Sequence, residues 1–87
     1  MKITDFLLEG KSNAISMREL AKVTGLSERA VRNEILNARL HGKLIVSDEN
    51  GYYLPEAKSD IKNFVAVRKQ AIKTSQDALQ PFVDALR

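Results

Sequence analysis

The chain has 87 residues, 44% of them apolar, which is enough for one packed core and too little length for two. It has no cysteine, which excludes a disulfide framework, thiol catalysis and a cysteine-based zinc site, and fits a reducing cytoplasm. Fourteen basic against eleven acidic residues leave a net charge of +3, compatible with a nucleic-acid partner without requiring one.

The first residues, "MKITDFLLEGK", lack the long apolar stretch of a signal peptide, and no apolar run is long enough to span a bilayer. Ile3, Phe6 and Leu7 fall at helical spacing and predict a short first helix ending at Gly10. Ser12 and Asn13 form turns, and Ala14-Ile15 suits a very short strand. Ser16 to Glu19 fits a capping box, in which hydroxyl and carboxylate each bind the other residue's backbone N–H. The helix that follows is expected to bury Met17, Leu20, Ala21 and Val23, and to stop at Gly25.

Leu26 is expected to plug the gap between two crossing helices. Ser27 is a good N-cap, and Glu28 suits the positive end of the next helix. That helix should run to about His41 with Gly42 as its stop, and Val31, Ile35 and Ala38 mark its inner stripe. "KLIVS" and "GYYL" are two β-prone runs around Asn50-Gly51, which predicts a hairpin over residues 43–54, ended by Pro55. From Glu56 onward the pattern is helical. Pro81 predicts a kink or break around Thr74–Gln80, with a short last helix after it.

"ISMRELAKVTGLSERAVRNEILNARLHGKLIVSDENGYYLP" resembles a winged helix-turn-helix domain, with "HGKLIVSDENGYYLP" as its wing. "GYYLP" followed by one long helical segment is also similar to small prophage-type DNA-binding proteins. The resemblance implies a mainly α fold of three helices plus a wing over residues 1–55. A C-terminal amphipathic extension follows over residues 56–87. It further implies a double-stranded DNA partner, read in the major groove by helix 27–41, and a transcriptional regulator of the bacterial or phage-host cytoplasm.

On that resemblance Arg29, Arg32 and Asn33 are candidates for bases or phosphates. Arg pairs bidentately with guanine and Asn with adenine. The Ser27 hydroxyl and its helix N-terminus suit a phosphate, and Arg18, Lys22 and Arg39 are candidate backbone contacts. A solvated polar face is the competing reading for each of them.

Three features pull the other way. The helix from Ser27 to His41 carries only three arginines against two glutamates. Asp48 and Glu49 make the wing tip acidic, which repels phosphates. Leu36 and Leu40 lie off the inner stripe, and are expected to pack on the C-terminal helix or on a second subunit. A protein-interaction module is therefore an alternative, and so is an accessory factor in replication or recombination.

His41, the only histidine, suits helix capping better than catalysis or metal binding. No carboxylate pair, phosphate-binding glycine loop or metal cluster is evident, so no enzyme and no cofactor is expected.

In the C-terminal third Val65, Ile72, Leu79 and Leu86 recur every seventh residue, while Ile61, Arg68, Ser75 and Phe82 form a half-polar seam. Phe64, Ala71, Ala78 and Ala85 add a neighbouring strip. Arg and Ser on the seam disfavour a simple coiled coil and favour an amphipathic helix that packs on the domain or on a partner. Ile61, Phe64, Val65, Ile72, Leu79, Phe82 and Leu86, with Leu36 and Leu40, are the candidate packing or dimer residues. In winged-helix regulators a helix after the wing commonly mediates dimerisation, so a homodimer is expected.

Overall fold

The computed structural model describes residues 2–87. A 3-10 turn over Ile3–Phe6 opens the fold, and a second over Lys11–Asn13 follows. Helix α1 spans Met17–Thr24 and α2 spans Glu28–Leu40. Strands β1 (Val46–Asp48) and β2 (Gly51–Tyr53) form the wing, and α3 covers Lys58–Ala85. The architecture is the winged helix-turn-helix that the motif implies, with α3 as the C-terminal addition.

Ends of the elements follow from their capping residues. Ser16 Oγ accepts the Glu19 N–H at 3.1 Å, and Ser27 Oγ accepts the Ala30 N–H at 3.1 Å. Each satisfies one donor that the helix leaves orphaned. The return bond from Ser16 N–H to the Glu19 carboxylate is absent among the described residues, so the capping box is only half formed.

Gly25 stops α1 in the left-handed region at φ 73°. At the end of α2, Lys43 N–H reaches Ala38 O at 2.9 Å and Gly42 N–H reaches Arg39 O at 3.0 Å. That pair of bonds is a Schellman stop, and Gly42 at φ 87° makes it possible. His41 Nδ1 lies 2.7 Å from Asn37 O, so the ring caps the same helix end, with the proton on Nδ1 when it donates.

The core is Ile3, Leu7, Leu20, Val31, Ile35 and Ile45, with Phe6, Ile15, Met17, Ala21 and Ala38 packed around it. Leu20, Val31 and Ile45 are fully buried, each stabilising the fold by about 1.5–3 kcal/mol. The spacing Val31–Ile35–Ala38 does face inward, as its period requires. Val23, expected inside, is exposed, because only one side of the short α1 meets the core.

The wing pairs Val46 with Tyr53, Ser47 with Tyr52 and Asp48 with Gly51. It is shorter than residues 43–54, since Lys43 and Leu44 are taken up by the stop of α2 and its exit. Ile15 extends the sheet by exchanging both backbone bonds with Tyr52, at 2.9 and 2.8 Å. The expected Ala14-Ile15 strand thus exists as a single bridge. Gly51, at φ 133°, lies so close to this bridge that a Cβ would collide with the Ile15 carbonyl.

Two other expectations differ from the structure. The first helix is one 3-10 turn, and Leu7 to Glu9 run extended, so that Glu9 bridges Leu54 in parallel. The chain gains sheet pairing there in place of further helical turns. No new helix begins after Pro81: α3 passes through it without interruption. Pro81 sits on the polar side of α3, roughly in line with Asp77 and Asp84. The Asp77 carbonyl that loses its usual donor therefore faces water, which can satisfy it.

Candidate nucleic-acid interface

The outward side of α2 is built by helical spacing. Arg29, Asn33, Leu36 and Leu40 succeed one another at steps of three and four, with Arg32 beside them, opposite the inner Val31–Ile35–Ala38 stripe. All five are exposed. Among the described residues, no hydrogen bond or ion pair engages the side chains of Arg29, Arg32 or Asn33. Ser27 holds the start of this helix with its oxygen, which leaves the hydroxyl hydrogen free to donate outward.

Arg18 and Lys22 stand one turn apart on α1 and are likewise exposed and unpaired among the described residues. With Ala21, Gly25, Leu26 and Glu28 they line a shallow depression of about 360 Å³ at the helix–helix turn. Leu26 lies at the rim of this depression, 37% exposed. It lies outside the buried core, partly covered at the turn between the two helices. Small Ala21 already lets the helices close, and Thr24 Oγ1 ties the turn to Leu20 O at 2.7 Å.

Arg39 departs from its expected place among the backbone contacts. Its Nε donates to Ile45 O at 2.9 Å, and its guanidinium lies 4.9 Å from the centroid of the Phe64 ring. Burial, then the neighbouring Arg68 charge, lowers its pKa below the ordinary range, against an opposing pull from Tyr52. An arginine remains charged through such shifts. The side chain therefore fastens α2 to the exit of the wing and to α3. Sequence periodicity placed Arg39 on the helix but could not foresee this, because its partners are 6 and 25 residues downstream.

The acidic wing is also less repulsive than its composition suggests. Asp48 is half-buried: one carboxylate oxygen accepts the Asn50 N–H at 2.8 Å, and the other lies 4.0 Å from Lys11 Nζ. That separation is an ion pair and not a hydrogen bond. Only Glu49 of the two acids projects freely into solvent. An Asp two residues before the turn N–H it accepts is a recognisable Asx pattern, and was legible in "SDENG".

The remaining candidates divide along α3. Ile61 and Phe64 are half-buried where the helix leaves the wing, while Val65, Ile72, Leu79, Phe82 and Leu86 are exposed. Leu36 and Leu40 are 54% and 74% exposed, so α3 of the same chain does not cover them. Arg68, at 5.8 Å, shares the Phe64 ring with Arg39, and Lys73 pairs with Asp77 at 3.3 Å.

Among the described residues no group of His, Cys, Asp and Glu is placed to hold a metal ion. No described helix is long and apolar enough to cross a membrane. The HTH domain family matches residues 1–53, from the first 3-10 turn through β2. No curated protein and no solved structure matches the chain. A protruding α2 held by a Ser27 cap, the Gly25 turn before it and the hairpin after it agree with that match over more than half the chain. On these grounds the chain belongs to the HTH domain family, as a winged helix-turn-helix DNA-binding domain.

Proposed function

We propose that the protein is a small transcriptional regulator of the bacterial or phage-host cytoplasm, binding double-stranded DNA sequence-specifically as a homodimer. Residues 1–55 form the DNA-binding unit, and residues 56–87 extend it for association. Helix α2 enters the major groove, which is wide enough for an α-helix. The observation that carries this reading is the outward row Arg29, Arg32 and Asn33, uncommitted to any partner within the described chain. Arg29 and Arg32 offer forked donors to guanine O6 and N7, and Asn33 offers the complementary pair to adenine. Ser27, Arg18 and Lys22 flank them as phosphate contacts around the helix turn. Neither a cofactor nor a metal takes part.

A protein-interaction module is favoured by one observation: Leu36 and Leu40 continue the same side of α2 that carries the arginines. Apolar groups there suit a protein groove, although an apolar side chain also suits a thymine methyl. An accessory factor in replication or recombination would use the same surface without acting at a promoter.

A salt titration on random and genomic duplex fragments separates these readings. Wild type should bind with an affinity that falls steeply with salt. An Arg29→Ala/Arg32→Ala variant should lose discrimination by roughly 1–3 kcal/mol for each base-contacting arginine, with its melting temperature unchanged. Absence of DNA binding at low salt overturns the proposal. Equal binding of every fragment by variant and wild type overturns the assignment of α2.

A further inference from the structure

Helix α3 parts from the rest of the fold after its second turn. Asp60, Ile61 and Phe64 are partly covered, and every residue from Val65 onward is exposed. The uncovered length is about 30 Å at 1.5 Å per residue. One side of it is mainly apolar, interrupted by Arg68 and Ser75: Ile72 and Leu79 are each 57% exposed, Phe82 is 70% and Leu86 is 89%. The other side carries Lys69, Lys73, Asp77 and Asp84. A helix this amphipathic gains its stability by covering its apolar stripe.

What fits the stripe can be read from its own order. A parallel, in-register copy would set Arg68 against Arg68 across a seam from which water is excluded, a costly placement of like charges. An antiparallel copy related by a two-fold axis at Ser75 brings residues equidistant from Ser75 face to face. Ile72 then meets Ala78, Ala71 meets Leu79, and Val65 meets Ala85. In these three pairs a larger side chain faces an alanine, a condition for dense packing between helices, while Phe64 meets Leu86 near the ends of the pair. Arg68 meets the ring of Phe82, as it already approaches the Phe64 ring at 5.8 Å. Shifting the axis by one residue to either side sets Ile72 against Gln76 or Gln80, Leu79 against Lys69 or Lys73, and Arg68 against Gln80 or Asp84, so the apolar pairing is lost.

We propose that α3 pairs antiparallel with α3 of a second copy, about a two-fold axis at Ser75, with Arg68 of each chain on Phe82 of the other. This rests on the homodimer part of the function proposed above and is independent of what α2 binds. The interface is isologous, so it closes at two subunits.

The chain has no cysteine, so single-cysteine variants report contacts without interference. Ile72→Cys and Ala78→Cys chains, mixed without DNA and treated with a short bismaleimide, should give mainly the mixed 72–78 dimer. Predominance of the 72–72 dimer in the same mixture overturns the antiparallel arrangement. Wild type sedimenting as a monomer at the highest concentration reached overturns the pairing itself. Arg68→Ala should raise the dimer dissociation constant roughly 5- to 30-fold, counting two symmetric cation–π contacts. The same change made in a Phe82→Ala background should have almost no further effect. A full effect of Arg68→Ala in that background overturns the Arg68–Phe82 contact, and unchanged helical circular dichroism of Arg68→Lys controls for misfolding. Because no step uses DNA, failure here and failure of DNA binding are separate results.

Discussion

At the scale of single residues, the arginines of α2 divide into two kinds. Arg29 and Arg32 face water, and nothing in the described fold depends on them. Arg39 is spent on the fold: it bonds Ile45 O and covers Phe64. Arg39→Ala should therefore lower stability by about 1.5 kcal/mol, the lower end for a hydrogen bond from a charged donor. Chemical denaturation should register this loss, which the Arg29→Ala/Arg32→Ala protein would not share. Equal stability of all these variants would mean that Arg39 is as free as its neighbours. The identity of an arginine on a helix does not tell these kinds apart. Only the return of the chain through Ile45 and Phe64 does, and that is why sequence reading placed Arg39 with the phosphate contacts.

At the scale of elements, boundaries were legible wherever a local chemical rule sets them. Ser16, Ser27, Gly25 and Gly42 start or stop helices through bonds made within a few residues, and Asn50-Gly51 turns the wing in the same way. Elements that depend on distant partners were not legible. The extended course of Leu7 to Glu9 exists because Leu54 offers a backbone partner. The glycines test this distinction. Gly25 has open space around it, so Gly25→Ala should cost only the left-handed backbone penalty of about 1–2 kcal/mol. Gly51→Ala adds a collision with the Ile15 carbonyl and must push the wing off its bridge. Its melting temperature should fall well below that of Gly25→Ala. The reverse order would show that the Ile15–Tyr52 bridge contributes little to the native sheet.

At the scale of the whole molecule, the uncovered leucines and the long helix were visible in the sequence as an excess of apolar surface. The structure locates that excess on α3 beyond Phe64 and on the outer side of α2. If two copies join about Ser75, the starts of their α3 helices stand roughly 51 Å apart, from 34 residues at 1.5 Å each. One turn of B-DNA spans about 34–36 Å. Paired operator half-sites should consequently bind better when spaced by more than one turn than when adjoining, in a gel-shift series of spacer lengths. Tightest binding at one-turn spacing would mean that the two α2 helices lie closer together than the starts of their α3 helices.

The Arg39–Phe64 contact has a mechanical side. It couples the last turns of α2 to the second turn of α3 through a charged group resting on a ring, with Arg68 near the same ring from α3 itself. In the proposed dimer on DNA, torque on α3 would be delivered at this joint and would pivot the far end of α2. If two copies associate through α3, the stiffness of this joint sets how faithfully the orientation of one copy's α2 follows that of the other.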